Sequence, residues 1–353
     1  MTSSDPASDS LTAAAPAWDA IVVGGSAAGL SAALMLGRAR RRVLVIDAGS
    51  PRNRFAAGMH GVLGHEGTAP ADLVGRGREE LAAYGVEVRE GSVEGVSELA
   101  AGSLGPSAAS PDDADARLSV ALPGAAPERA RALIVATGIA DELPAIPGLA
   151  ERWGTSVLHC PYCHGWEVRG GRIGVIATSP MALHQARLVR QWSDRVVLFS
   201  AAAGAIDAAD QRRLRSRGIE LEASPVVEVL GEGEAVTGVR TADGRVTALD
   251  AIFTAGAPRP HDGFLAELGL ARTEQPFGLG SFVTVDLTGR TSHERIWAAG
   301  NVVNPMANVP IAMAAGAMAG AAANGALVEA DFDLAEQRAA RLEAGAESAG
   351  VRA

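Results

Sequence analysis

Residues 19–23 are a short apolar run that leads without a break into Gly24, Gly25, Ser26, Ala27, Ala28 and Gly29, and residues 30–38 continue with apolar positions at helical spacing. Strand, glycine turn and helix in that order admit few folds. Gly24 permits the tight turn, small side chains let the main chain approach a pyrophosphate, Gly29 allows close helix packing, and free amides at the helix start hold the anion. Ser26 stands where a second glycine is usual, but serine is small and donates a hydrogen bond. A second apolar run, residues 43–46, ends in Asp47, 18 residues beyond Gly29 and close to the ~20 that separate such a turn from a ribose-binding acid. This first unit reads as a dinucleotide-binding βαβ.

The chain then echoes itself. Residues 173–176 read as a strand, 181–192 as a helix and 195–199 as a further strand. Each copy has a later apolar strand closing on glycine, at 132–138 through Ala136, Thr137 and Gly138, and at 251–256. We therefore expect an α/β protein of two Rossmann-like, three-layer nucleotide-binding folds, which suits 353 residues at ~100 to 200 per domain. The second copy lacks the chemistry of the first. Its turn, Ala177, Thr178, Ser179, Pro180, Met181 and Ala182, holds no glycine, and Pro180 removes an amide. Beyond residue 199, Ser200, Ala201, Ala202, Ala203 and Gly204 offer neither an acid for a ribose nor an arginine for a 2′-phosphate. That fold is expected to keep its shape without a working NAD(P) site. Residues 97–131 read as a loose hairpin insertion, and the residues after Asp331 as a charged, helix-prone tail without chemistry.

Apolar residues make up 48% of the chain and charged residues 20%, enough aliphatic surface for two cores. Thirty-one basic against 41 acidic residues leave a net charge of −10. Such a surface repels a phosphate backbone, and residues 38–42 are the one basic cluster, so no nucleic-acid partner is expected. Residues 1–16 lack a basic start followed by an apolar core, and read as a disordered tail rather than a signal peptide. The weakly apolar stretch 311–323 falls short of the ~20 residues of a spanning helix. No membrane is expected, and the expected location is the cytoplasm.

Cys160 and Cys163 are the only cysteines, and they stand between the two folds in Cys160-Pro161-Tyr162-Cys163-His164-Gly165. A cytosolic pair this close points to redox or metal chemistry before a structural bridge. Such a pair can close a disulfide across one turn, and a helix starting here would stabilise a thiolate with its free amides. His164 is the candidate acid/base, since imidazole takes and returns a proton around neutral pH. Three other readings stay open at this point. A c-type haem attachment normally needs export, and a zinc site needs four ligands where only His159 and His164 flank the pair. An inert buried pair sits poorly with the Pro, Gly and His around it. His164 also has an ordinary reading as a surface histidine, and His159, His65, His184, His261 and His293 read as structural histidines.

Taken in order, the 24–29 turn, Asp47, the Ala136-Thr137-Gly138 strand end, the Cys-x-x-Cys and Trp297-Ala298-Ala299-Gly300-Asn301 resemble elements of the thioredoxin reductase family of flavoproteins, over most of residues 19–328. The resemblance implies FAD in a discontinuous domain, residues 17–140 and 259–328. An NAD(P)-like domain, residues 141–258, would be inserted between them, with tails at 1–16 and 329–353. It further implies that Asp47, Ala48, Arg52 and Asn53 contact the adenosine and diphosphate region, Val93 the adenine, and His60 the ribityl or flavin face. Asn301 would meet the ribityl chain, with Gly300 before it, and Asn308 and Val309 the pyrimidine edge. Arg52, Val93 and His60 also have structural readings, as a surface charge, plain core and a loop histidine. The family usually has Asp where Asn301 stands and an acid where His164 stands. With the glycine-free second turn, these departures are similar to the FAD-dependent dithiol oxidases of gliotoxin and holomycin type, which close disulfides in small natural products using oxygen. The implied reaction oxidises a small-molecule dithiol through the Cys160/Cys163 pair, with Cys160 meeting substrate, Cys163 nearer the flavin and oxygen as final acceptor, in a homodimer. A NAD(P)H-dependent disulfide reductase and a non-catalytic flavin-bound redox sensor are the alternatives.

Overall fold

The structure, a computed structural model, describes residues 16–100 and 115–350, with side chains as far as residue 345. Part of the expected insertion and parts of both expected tails therefore lie outside the described residues. The first lobe opens with β1 (Trp18–Val23), α1 (Ala27–Arg38), β2 (Val43–Asp47), α2 (Pro70–Ala82) and β3 (Glu87–Glu90). A hairpin of β4 (Gly95–Glu98) and β5 (Leu118–Ala121) follows, then β6 (Glu128–Val135) and β7 (Ile139–Glu142). The second lobe runs through β8 (Val157–Leu158), α3 (Pro161–His164), β9 (Arg172–Ile176), α4 (Ala182–Val189), β10 (Arg195–Phe199), α5 (Ala208–Ser216) and β11 (Glu220–Glu222). Strands β12 (Val226–Glu232), β13 (Ala235–Thr241), β14 (Val246–Ala248) and β15 (Ala251–Thr254) complete it. The chain then returns through β16 (Ala257–Pro260), β17 (Arg272–Gln275), β18 (Gly280–Val283), β19 (Ile296–Ala298) and α6 (Val309–Gly350).

In the first sheet β3, β2, β1 and β6 lie side by side and parallel. Strand β6 is shared along its length: its start pairs antiparallel with β5, and residues 133–135 pair parallel with β19. The second sheet is parallel throughout, in the order β11-β10-β9-β15-β8. A strand pair joins the lobes, β7 antiparallel to β16, with Ile139 opposite Pro260 and Glu142 opposite Ala257. Both sheets are covered on two faces. Ala20 and Val22 of β1 pack toward α1 and α6, while Ile21 and Val23 pack on the other side with Val96, Val120 and Leu265. Burial on both faces is why these strands are uniformly apolar rather than alternating. In the second lobe α4 and α5 cover one face, and β12 and β13 cover the other through Val229, Val236 and Val239.

The stretch 311–323, read above as too short to span a bilayer, belongs to α6, 42 residues long. By length and composition α6 is enough to cross a membrane, but its small residues have a partner inside the lobe. A Cβ on Gly316 would lie 1.9 Å from the Ala28 carbonyl oxygen, and one on Gly320 2.5 Å from that of Ala32. The Gly and Ala side of α6 therefore sits directly on the backbone of α1. The residues beyond 328 are no separate tail either, because the helix continues and Asp331 is tied down. Its carboxylate pairs with Arg131 and Arg41, and Arg131 also reaches Asp19 and Asp115. Arg131 is 2% exposed, so this knot of charges closes the lobe from inside.

Candidate active site

The first turn is built for an anion. Gly24 has φ +105, and a Cβ there would lie 2.4 Å from the Ala136 carbonyl oxygen, which fixes the turn against the end of β6. The Gly25 amide donates to Asp47 Oδ1 at 3.0 Å. The amides of Ser26, Ala27 and Ala28, by contrast, have no hydrogen-bond acceptor among the described residues. Gly300, with φ +79, brings its backbone against Ala28, where a Cβ would come within 2.9 Å of that alanine's own. Asn308 caps the adjacent start of α6, its Oδ1 accepting from the Ile311 amide at 3.2 Å. Ala136, Thr137 and Gly300 thus converge on the turn, and Val93 packs against the core cluster that includes Val23 and Ile46.

Several expected contacts have protein partners that the sequence did not announce. Asp47 Oδ2 accepts from Arg78 of α2 at 2.5 Å. Arg52 is held by Asp141 through two hydrogen bonds of 2.7 Å and donates to the Pro305 carbonyl at 3.1 Å, so its fork points at the strand pair joining the lobes. Asn301 Nδ2 donates toward the carbonyls of Asn304, Pro305 and Ala307 at 3.0, 3.3 and 2.9 Å. A carboxylate there would face three acceptors with no proton to give, which explains asparagine in place of the usual acid. The Thr137 hydroxyl donates to the His261 carbonyl. The Gly138 carbonyl accepts from the His261 amide at 3.1 Å and the Asn53 carbonyl from the Ala56 amide at 3.0 Å.

Cys160 and Cys163 form a disulfide, Cα to Cα 5.3 Å, at the carboxyl end of β8. Helix α3 is a single turn, and the Cys163 and His164 amides both donate to the Cys160 carbonyl. The expected thiolate stabilisation by free helix amides is therefore minimal here. The turn is seated by Gly165, whose Cβ would lie 2.7 Å from the Trp192 ring, and Trp192 in turn meets Tyr162 edge-on at 5.7 Å. Tyr162 is 73% and Trp166 64% exposed, and the Arg169 guanidinium lies over the Trp166 ring, 4.1 Å from its centroid. Gln185 of α4 donates to the His159 carbonyl at 2.7 Å. His159 Nδ1 lies 3.3 Å from the Thr254 carbonyl, a structural role as the sequence suggested. Burial holds the imidazoles of His159 and His164 below their ordinary value. His164 Nδ1 is buried and has no hydrogen-bond partner among the described residues.

The first lobe meets the residues just past the disulfide turn through His60. His60, from the loop between β2 and α2, has Nδ1 2.7 Å from Glu66 and Nε2 3.6 Å from Glu167, three residues past His164. Glu66, Glu167, Arg78 and Asp141 escaped sequence reasoning. Only Glu167 carried a local signal, one helical turn from His164.

The second turn has the same topology and different hydrogen bonding. The Ala182 amide donates to the Ser179 carbonyl, the Leu183 amide to the Pro180 carbonyl and the Met181 amide to Ser179 Oγ. Helix α4 starts with these amides already bonded.

Comparison with known proteins agrees with this geometry. The profile of the pyridine nucleotide-disulphide oxidoreductase family matches residues 18–316. The chain is 34% identical to thioredoxin reductase tcpT of Claviceps purpurea over 318 residues, covering 86% of this chain and 92% of that protein. It is 27% identical to thioredoxin reductase sirT of Leptosphaeria maculans, covering 89% and 96%. Among solved structures, HlmI superposes with a TM-score of 0.83 at 39% identity, covering 92% of this chain and 97% of that one. An oxidoreductase from Agrobacterium tumefaciens superposes at 0.79 with 39% identity, covering 88% and 99%. Open amides on a glycine turn, an acid at the end of β2 and a helix start facing them are the donors and acceptors that FAD requires. The chain belongs to the pyridine nucleotide-disulphide oxidoreductase family, as a thioredoxin reductase-like flavoprotein with FAD as its cofactor.

Proposed function

We propose that the protein oxidises a small-molecule dithiol to a disulfide through the Cys160/Cys163 pair, with oxygen as the final acceptor. The observation that carries this reading is the second turn, whose helix-start amides are bonded to Ser179 and Pro180. With no amide at Pro180 and that of Met181 already bonded, this turn offers a nicotinamide cofactor's phosphates fewer donors than the first, which favours electrons entering as thiols and not as hydride. The exposed ring of Tyr162, next to Cys163 in the chain, offers an apolar surface to a compact substrate. A homodimer in the cytoplasm belongs to the same proposal.

The exchange starts from the disulfide seen here. A substrate thiolate attacks Cys160 Sγ, the Cys160–Cys163 bond breaks, and Cys163 leaves with the electron pair as a thiolate. The second substrate thiolate then attacks the substrate sulfur of the mixed disulfide and displaces Cys160. The product leaves with one new S–S bond, and its two electrons stay on the cysteine pair. His164, kept neutral by burial, accepts protons that the substrate thiols release. FAD, when bound, supplies the two-electron acceptor that returns the pair to the disulfide. The residues that would hold it are Gly24, Gly25, Ser26, Ala27, Ala28 and Gly29 at the pyrophosphate and Asp47 at the ribose. Val93, Ala136, Thr137, Gly138, Gly300, Asn301, Asn308 and Val309 would line the remainder. Ala48 and Asn53 flank the adenosine side, while Arg52 acts through Asp141.

The test is anaerobic titration of the purified flavoprotein with dithiothreitol and, separately, with NADPH, followed by admission of oxygen. Bleaching of the flavin by dithiothreitol alone, with oxygen consumed afterwards, is expected. Rapid bleaching by NADPH would overturn the oxidase reading in favour of a reductase. Bleaching without oxygen turnover would favour a sensor. Cys160→Ala or Cys163→Ala is expected to abolish dithiol turnover while leaving the flavin bound.

A further inference from the structure

Helix α4 and the turn that ends it reach both ends of the disulfide turn. Gln185 donates from Nε2 at 2.7 Å to the carbonyl of His159, the residue before Cys160. Trp192 lies against Gly165, two residues past Cys163. A Cβ on Gly165 would come 2.7 Å from Cδ2 and 3.0 Å from Cε2, the fused bond at the middle of the indole. The same ring meets Tyr162 edge-on at 5.7 Å, and the Trp192 carbonyl accepts from the Gly170 amide at 2.9 Å. The Trp192 amide donates to the Val189 carbonyl at 2.9 Å, which ties this residue to the end of α4. Gln185 and Trp192 stand seven residues apart, about two helical turns, so one side of the helix serves both contacts.

The segment these contacts grip has little to hold it otherwise. Sheet pairing carries β8 as far as Leu158, opposite Phe253 of β15, and His159 Nδ1 then lies 3.3 Å from the Thr254 carbonyl. Past that point the backbone makes one turn, closed by the Cys163 and His164 amides on the Cys160 carbonyl. A helix of four residues is far too short to be stable by itself. When the S–S bond opens, the distance between the two sulfurs is therefore set by what holds the turn from outside.

We propose that Gln185 and Trp192 are positioning residues that keep the opened thiols in bonding reach of each other and so set the dithiol–disulfide equilibrium of Cys160 and Cys163. Both act through the backbone of the turn, Gln185 at the His159 carbonyl and Trp192 at Gly165. Closing the pair makes one S–S bond and gives up two electrons and two protons, to the bound flavin in the enzyme and to oxidised dithiothreitol in the test below. Two thiols held close have a high effective concentration toward each other, and the disulfide is favoured in proportion. This role rests on the reading that the pair cycles between dithiol and disulfide.

The experiment equilibrates the flavin-loaded protein, without oxygen, in mixtures of reduced and oxidised dithiothreitol, then traps free thiols by alkylation and reads the mass. The chain holds no other cysteine, so the mass reports this pair alone. Gln185→Met, which keeps the length and loses the donor, and Trp192→Ala are each expected to move the equilibrium about tenfold toward the dithiol, ~30 mV for a two-electron couple. Trp192→Phe is expected to move it less, since a ring still lies against Gly165, and it carries the test with Gln185→Met if Trp192→Ala does not fold. Leu183→Ala is the control. Leu183 packs against the core of the second lobe, and its truncation is expected to lower the melting temperature while leaving the equilibrium constant within about twofold of the parent. Parental constants in the Gln185 and Trp192 variants, or a shift toward the disulfide, overturn the proposal. So does an equal shift in Leu183→Ala, which is the mark of general loosening. A parental protein whose pair responds to dithiothreitol but which is inert to oxygen sinks the oxidase reading and leaves the positioning role standing. A pair that stays closed in the most reducing mixture sinks both.

Discussion

The two nucleotide folds of this chain start their first helices in the same place and reach opposite states. At α1 the turn carries glycine at Gly24, Gly25 and Gly29, the main chain is pressed against β6, and three successive amides stay open. At α4 the turn carries Ser179 and Pro180, so that one position has no amide and the Met181 amide is bonded to Ser179 Oγ. The strand order and the apolar pattern survive in both. What differs is whether the backbone donors are left for a ligand, and that depends on a few residues whose side chains either leave them open or use them. The fold of a nucleotide-binding unit can therefore be kept while the donors of its turn change.

The sharpest way to break this contrast is substitution in the two turns. Gly24→Val places a Cβ 2.4 Å from a carbonyl oxygen at φ +105, a conformation that a β-branched residue rarely adopts. It is expected to yield protein without flavin, read as the ratio of flavin to protein absorbance. Ser179→Gly in the second turn is expected to leave that ratio unchanged. A flavin-replete Gly24→Val would mean that the first turn is only structural.

The second contrast is between the charges of the two lobes. Arg131 is buried and shared among Asp19, Asp115 and Asp331, whereas the Arg187–Asp210 pair of the second lobe is partly exposed. Arg131→Ala is expected to cost about 3 kcal/mol of unfolding free energy, because it leaves buried acids short of a partner. Arg187→Ala is expected to cost less than about 1 kcal/mol. Chemical denaturation of both variants ranks them, and equal costs would show that the knot contributes no more than a surface pair.

The smallest effect concerns pH. His159 and His164, both beside the disulfide, have their folded-state values lowered by burial. Below about pH 6.5 the unfolded chain binds protons that the folded chain does not, so acid favours unfolding. The associated stability is present above that pH and is lost as pH falls, by at most ~1.4 kcal/mol per pH unit for each histidine. Melting curves between pH 5 and 7 are expected to show the decline, and His159→Asn to flatten it. A flat parental profile would contradict the burial assigned to both rings.

The fold was legible where its signal is local and periodic. The strand read at 195–199 coincides with β10, and the turn at 24–29 stands between β1 and α1 as its glycines require. The spacing allowed a disulfide but left metal, haem and inert readings beside it. Asparagine at 301 looked like a weakened acid until the three carbonyls around its amide were seen. Arg78, Asp141 and Glu66 had no signal of this kind. Asp141 meets Arg52 from 89 residues away and Arg78 meets Asp47 from 31, and ion pairs at such separations leave no period in the sequence. The same holds for α6. Its Gly and Ala residues lack the bulk that marks a core helix, because their use is to let two backbones touch.

The pairing of β19 with β6 also fixes an order of events during synthesis. Leu133 waits for Ile296 as its neighbour, and Arg131 waits for Asp331. On a ribosome adding ~5–20 residues per second, the intervening lobe emerges whole while the opening βαβ unit is still missing an edge and a lid. Gly300 and the start of α6 reach the open amides last. A chain cut short before residue 296 would carry a complete second lobe joined to a first lobe without the parallel partner of residues 133–135 and without α6.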